Sequence, residues 1–177
     1  MSVVLITGSC GLVGSESVKF FASKGFDIVG IDNNSRSKFF GKDGDINWIR
    51  RNLIKSHKNY LHENIDIRNH AALEKIFKRY RNSIKLIIHS AAQPSHDWAK
   101  KNPFVDFNIN ALGTLNLLNL TKKYSYNAPF IFMSTNKVYG DNPNLLPLKE
   151  LKSRWEISKN HKYFKGIDER MSLDNCV

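Results

Sequence analysis

Thr7-Gly8-Ser9-Cys10-Gly11-Leu12-Val13-Gly14 sets three glycines at intervals of three residues. They follow an apolar run, Val3 to Ile6, and open a stretch with helical spacing. Glycines in that setting suit phosphate chemistry. Gly8 allows a tight turn, Gly11 leaves room for a pyrophosphate to approach the backbone, and Gly14 lets the next helix pack closely on the strand. A helix that begins at Leu12 and Val13 presents unsatisfied N–H groups and the positive end of its dipole to the phosphates. Asp32 ends the next apolar run, about twenty residues further on, where a carboxylate can accept hydrogen bonds from adenosine ribose hydroxyls. It would repel a 2′-phosphate, which favours NAD over NADP. Asn33 joins the candidate set beside it, and Arg36 is close enough to soften that preference. Three glycines near a strand are also ordinary turn residues. The ordered series of strand, glycines, helix, strand and terminal acid is what points to a dinucleotide.

The elements that must position these residues follow from the apolar pattern. Val3 to Ile6 is continuous, as in a strand buried on both faces. A helix is expected from Leu12 to Lys24, closed by Gly25, then a strand from Phe26 to Ile31. Residues 33 to 59 are polar, with a helix expected over Ile46 to Ser56. Tyr60-Leu61-His62 reads as a short strand. Leu73, Ile76, Phe77 and Tyr80 fall at i, i+3, i+4 and i+7 and predict a helix over Ala72 to Tyr80. Lys85 to His89 is a fourth strand and Phe130 to Met133 a fifth. Between them a single helix is expected over Phe104 to Tyr124, whose leucines 112, 115, 117, 118 and 120 exceed one stripe. Strands alternating with helices predict an α/β fold: a doubly wound parallel sheet of the Rossmann kind, here incomplete. Residues 1–140 form the expected NAD-binding domain. Residues 141–177 carry no sustained period and read as an irregular tail with one short helix at most.

Composition narrows the function classes. The chain has 177 residues, 41% hydrophobic and 24% charged, enough for one ordinary domain. Its formal charge of +11 is scattered, with the densest spots at Arg50-Arg51, Lys100-Lys101 and Lys122-Lys123. No basic run interleaves with stacking aromatics, so nucleic acid is not the expected partner. A basic surface does suit an anionic substrate. Cys10 and Cys176 form neither a Cys-x-x-Cys pair nor a disulfide framework, which points to a reduced, cytoplasmic setting. His57, His62, His70 and His161 lack ligand spacing, and no metal is assigned. No segment is long enough to span a membrane, so no membrane partner is expected.

Further motifs extend the glycine turn. The Gly-x-x-Gly-x-x-Gly spacing after Thr7 resembles the extended short-chain dehydrogenase/reductase superfamily, the NAD-dependent epimerases and dehydratases. Asp66-Ile67-Arg68 resembles its Asp-hydrophobic element, which lies against adenine. His89-Ser90-Ala91-Ala92-Gln93 resembles the segment after the fourth strand, and Asn110 with Gly113-Thr114 the family's Asn-x-x-Gly-Thr helix. Ser134-Thr135-Asn136-Lys137-Val138-Tyr139-Gly140 is similar to the end of its fifth strand. The resemblance implies cofactor contacts at Asp66, Ile67, Ala91, Ala92, Gln93 and Asn110, in addition to Gly8, Gly11, Leu12, Val13, Gly14, Asp32, Asn33 and Arg36. It implies that Thr135 hydrogen-bonds the reacting oxygen. Dehydratases of the superfamily usually place an acid pair where this chain has Asn136-Lys137, which favours an epimerase. Ser134 to Asp141, Gln93-Pro94-Ser95-His96-Asp97-Trp98 and Asn102-Pro103-Phe104-Val105-Asp106-Phe107 resemble, more narrowly, epimerases acting at C2 of a CDP-linked sugar. The implied substrate is thus a CDP-sugar or another nucleotide sugar.

The family's general base is a tyrosine four residues before a lysine. Position +4 from Tyr60, Tyr80, Tyr124, Tyr126, Tyr139 and Tyr163 holds Asn64, Ile84, Ala128, Phe130, Pro143 and Ile167. None makes the pair, and a phenol near pKa 10 without such a neighbour is a poor base at neutral pH. The expectation is an epimerase that is catalytically incomplete in this chain, ending before its Tyr-x-x-x-Lys pair and sugar-binding domain. The alternative is a non-catalytic NAD-binding module, with the apolar helix around Leu112 to Leu120 as a homodimer interface.

Overall fold

Five strands run parallel in the order β3-β2-β1-β4-β5: β1 (Val3–Thr7), β2 (Asp27–Ile31), β3 (Tyr60–Glu63), β4 (Ile84–His89) and β5 (Phe130–Phe132). The computed structural model describes residues 2–135 and 138–173, so Asn136, Lys137 and Cys176 lie outside the described residues. The described chain divides between Met133 and Ser134, ahead of the boundary expected after residue 140. The first unit holds the sheet and seven helices: α1 (Leu12–Ser23), α2 (Arg36–Phe40), α3 (Asn47–Ser56), α4 (His70–Tyr80), α5 (His96–Lys101), α6 (Pro103–Phe107) and α7 (Gly113–Tyr124).

The continuous apolar run of β1 has a direct cause. Successive side chains point to opposite faces, and both faces are covered. Val3 and Leu5 pack with Leu73, Phe77, Leu117 and Leu120, the inner stripes of α4 and α7. Val4 and Ile6 pack with Val18, Ile28 and Leu53, under α1 and α3. The sheet is therefore doubly wound. Between β1 and β4 the strand order reverses direction, the position at which such sheets leave a crevice for ligands.

The helix expected over Phe104 to Tyr124 is present, but it carries a π turn. α6 and α7 are separated by a π turn, Asn108–Leu112, closed by the Gly113 N–H donating to the Asn108 carbonyl. The wider turn has two visible consequences. Asn110 meets Gln93 and Asp106, and Gly113 approaches Ile67 so closely that a Cβ there would lie 2.6 Å from Ile67 Cδ1. Leu117 and Leu120 are buried, whereas Leu115 and Leu118 are half exposed. The tail has little regular structure, as expected, but it does hold one small hairpin. A short 3-10 turn, Asn142–Leu145, precedes an antiparallel hairpin of β6 (Leu148–Glu150) and β7 (Trp155–Ile157). Strands of three residues carrying Lys149, Glu150 and Glu156 give no readable alternation. α2 and α5 were not expected either; α5 is capped by the Ser95 hydroxyl, which accepts from the Trp98 N–H at 3.2 Å.

A buried polar chain ties the strand ends to α7. Thr7 and His89 are register partners. His89 Nδ1 lies 2.6 Å from Thr7 Oγ1, and Nε2 lies 2.9 Å from Thr114 Oγ1. Thr114 donates its own proton to the Asn110 carbonyl at 2.6 Å, so its oxygen accepts from His89. The Ala91 N–H donates to Thr7 Oγ1 at 3.3 Å, which leaves the Thr7 proton for Nδ1. His89 is thus neutral with its proton on Nε2. Burial holds its pKa down at about 4, from an ordinary 6.5. Between those values the unfolded chain binds more protons, so this group's contribution is full above pH 6.5 and is lost as pH falls towards 4. The shift corresponds to about 3 kcal/mol. Denaturant unfolding of wild type and His89→Gln from pH 7 to 4 checks it. Wild type loses stability across that window with up to one more proton of slope than the variant, which is weaker at pH 7 but flatter.

Candidate functional site

The turn after β1 is shaped by backbone contacts. Gly8 adopts φ +67°, where side chains are strained, and a Cβ on it would lie 2.7 Å from the Ala91 nitrogen and 2.8 Å from the Ser90 carbonyl carbon. The loop after β4 therefore lies directly on the turn. A Cβ on Gly14 would strike the Gly8 carbonyl and lie 2.9 Å from Ser9 Cα. Gly11 differs. Its φ of −73° suits any residue, and a Cβ would meet only the Gly8 oxygen, at 3.2 Å. Position 11 is therefore less tightly packed than 8 or 14: a side chain there asks only the Gly8 oxygen to give by a few tenths of an ångström, and the space beyond is open. No side chain caps α1. The first-turn N–H groups of Leu12 and Val13 are among those a helix cannot satisfy internally, and Leu12 is 84% exposed. Open backbone, unpaired donors and the positive dipole end together fit a pyrophosphate.

Asp32 lies at the far end of β2. Its Oδ2 accepts from the Cys10 N–H at 3.0 Å and its Oδ1 from the Asn34 N–H at 2.9 Å. It fixes the glycine turn and retains one lone-pair site per oxygen for ribose hydroxyls. A cavity of about 210 Å³ adjoins it, lined among others by Asn33, Asn34, Arg50 and His62. A larger one, about 570 Å³, runs past Gly11 and Leu12 and includes Arg36 and Trp48. Arg36 stands over the Phe40 ring at 4.8 Å.

The remaining predicted residues divide into groups. Asn33 Nδ2 donates to Asp66 Oδ2 at 3.0 Å, linking the loops after β2 and β3. The Arg68 guanidinium grips Asp66 at 2.9 and 2.6 Å and holds that carboxyl below its ordinary range. Ile67 is 6% exposed, with its side chain in the core and its carbonyl accepting from Asn116 at 3.1 Å. Gln93 and Asn110 exchange bonds: the Gln93 N–H donates to Asn110 Oδ1 at 2.9 Å, and Asn110 Nδ2 donates to the Gln93 carbonyl at 3.1 Å. Both amides also donate to Asp106. These two side chains brace the loop that carries Ala91 and Ala92. Thr135 belongs to the second unit.

Sequence reasoning missed a cluster beneath the turn. Ser9 Oγ lies 3.0 Å from the Tyr60 hydroxyl, which lies 3.1 Å from His62 Nδ1, and the Cys10 sulfur is 3.9 Å from both partners. Burial first, then the Asp32 charge, pushes the Cys10 thiol up; burial likewise raises the Tyr60 phenol and lowers His62. All three stay neutral, so Cys10 is a packed thiol and not a nucleophile. The pairing of β2 with β3 creates the cluster, and no spacing in the sequence announces it.

An open glycine cradle at a helix N-terminus, with an acid at the end of the neighbouring strand, defines a dinucleotide-binding α/β domain. The model of the NAD dependent epimerase/dehydratase family matches residues 4–164, and the chain belongs to that family. It is 37% identical over 138 residues to the CDP-paratose 2-epimerase of Salmonella typhi, covering 78% of this chain and 38% of that protein. The UDP-Glc/GlcNAc 4-epimerase of Campylobacter jejuni shares the fold with a TM-score of 0.67 and 23% identity, over 87% of this chain and 43% of that one. The UDP-glucose 4-epimerase of Bifidobacterium longum, solved with NAD+ and UDP, gives 0.61 and 23%, over 89% and 43%. The chain thus spans less than half the length of these relatives. Among the described residues no three His, Cys, Asp or Glu side chains gather as metal ligands, and no helix is long and apolar enough to cross a membrane.

The three glycines separate by experiment. Gly11→Ala costs less than about 1 kcal/mol of stability but weakens NAD+ binding roughly tenfold or more. Gly14→Ala forces backbone apart and costs several kcal/mol. Thermal melts paired with NAD+ titration check both; equal stability losses would contradict the assignment of Gly11 to the ligand.

Proposed function

We propose that this chain is the cofactor-binding portion of an NAD-dependent sugar-nucleotide epimerase resembling CDP-paratose 2-epimerase. The open space over Gly11, facing the uncapped start of α1, is the observation that carries the cofactor half of this reading. The likeness to the Salmonella typhi enzyme supports a CDP-linked sugar and reaction at C2. When bound, NAD supplies reversible acceptance of a hydride from the sugar carbon, so that epimerisation leaves no net redox change. The chain's own part is to hold and aim. Gly11, Leu12 and Val13 take the pyrophosphate, Asp32 the adenosine ribose. Asn33 and Asp66 frame the adenine side, with Arg36 at the rim. Ala91 and Ala92, braced by Gln93 and Asn110, border the approach to the crevice. Thr135 is the hydroxyl we assign to the reacting sugar oxygen. The setting is cytoplasmic, and a second copy seated on the exposed leucines of α7 makes a homodimer.

None of the six tyrosines has a lysine at position +4. That observation favours a second reading, an NAD-binding module without turnover of its own. One assay addresses both. The chain is incubated with NAD+ and CDP-paratose, binding is followed by calorimetry, and conversion to the 2-epimer is followed by NMR. NAD+ binds and no epimer forms. Epimer made by these residues alone would overturn the missing base, and failure to bind NAD+ would overturn the function.

A further inference from the structure

The second unit holds a basic cavity that the proposed function leaves unused. Lys159, Lys162 and Lys165 recur at every third position. Successive backbone turns cover this segment. The His161 N–H donates to the Ser158 carbonyl, the Phe164 N–H to the His161 carbonyl and the Gly166 N–H to the Tyr163 carbonyl, each at 2.9 Å. All three lysines line one cavity of about 450 Å³. Tyr163, buried, anchors this coil. Gly166 at φ +129° then redirects the chain through a conformation that side chains rarely adopt. Asp168 and Arg170 complete the lining.

The charges in this cavity are unbalanced. Its one carboxylate, Asp168, is taken by Arg170, whose Nε and Nη2 donate to Oδ2 at 2.9 and 2.5 Å. Glu169 lies between them in sequence and is exposed. Among the described residues no carboxylate forms an ion pair with Lys159, Lys162 or Lys165. Lys162 instead stands over the Tyr163 ring at 4.8 Å. Like charges gathered in a concavity raise the local positive potential, and because these lysines are exposed that potential falls as salt rises. The pair with Asp168 occupies the Nε and Nη2 side of the Arg170 guanidinium and leaves its Nη1 donors.

We propose that this cavity binds a diphosphate-type anion, with Lys159, Lys162 and Lys165 supplying charge and Arg170 the donors that Asp168 leaves. A single phosphate would leave part of the lysine wall unanswered, whereas two linked phosphates can meet several ammonium groups together. The same chemistry is offered by a free polyphosphate and by the diphosphate of a nucleotide. The inference stands apart from NAD binding, which belongs to the first unit.

The test uses the 177-residue chain with saturating NAD+, so that the glycine turn is occupied. Inorganic pyrophosphate is titrated by calorimetry at low salt, beside sulfate as a control. Pyrophosphate binds more tightly than sulfate and weakens as salt rises. Lys159→Gln with Lys165→Gln, both exposed, lowers its affinity by roughly tenfold or more and leaves NAD+ affinity unchanged. CDP that competes with pyrophosphate and binds more tightly assigns the site to a nucleotide; equal affinity assigns it to free polyphosphate. Pyrophosphate that does not bind, binds no better than sulfate, or binds the double variant equally well overturns the proposal.

Discussion

The close approach of three backbones at the end of β1 is the constraint on which the rest depends. The turn at Gly8, the start of α1 at Gly14 and the loop after β4 at Ser90–Ala91 lie so near one another that a single Cβ at Gly8 or Gly14 would collide with main-chain atoms. Main chain yields little, because each unit is also tied into a strand or helix. This contact aims α1 at the crevice, and with it the first-turn N–H groups that we propose take the pyrophosphate. Gly11 is the least constrained of the three, with only the Gly8 oxygen near its missing Cβ.

Polar groups around this contact are fixed without placing charge in the interior. The chain from Ala91 through Thr7, His89 and Thr114 to Asn110 passes hydrogen bonds in one sense along each arm and keeps His89 neutral. The Ser9, Cys10, Tyr60 and His62 cluster does the same beneath the turn. Asp32 is the exception: a partly exposed carboxylate, partnered by two backbone N–H groups and adjoining a cavity. A charge kept at the surface of the site, beside otherwise neutral polar groups, is suited to reading hydroxyls of a bound ligand.

Much of this was legible in the sequence because it is local. Val3 to Ile6, the three glycines and Asp32 are each defined within a few residues, and strand alternation with helix fixes the parallel sheet. Leu73, Ile76 and Phe77 were found as the buried face of α4 because helical period is a strong signal. What escaped depends on distant partners. The π turn at 108–112 accompanies the meeting of Asn110 with Gln93 and of Gly113 with Ile67, neither of which spacing reveals. Gln93 and Asn110 were read as cofactor contacts; the structure adds bonds that spacing does not reveal, the Asn110 amide to the Gln93 backbone and to Asp106, and the Gln93 amide to Ser95 and Asp106. The hairpin of β6 and β7 was lost because three-residue strands carry too little pattern.

The account stands on the first turn of α1 being the cofactor's phosphate site. Its most direct test is amide NMR of the isotope-labelled chain titrated with NAD+. The account predicts that the largest shifts fall on the N–H groups of residues 10–14, followed by Asp32 to Asn34 and Asp66 to Ile67. Shifts centred elsewhere, or a glycine turn that does not respond to saturating NAD+, would contradict it.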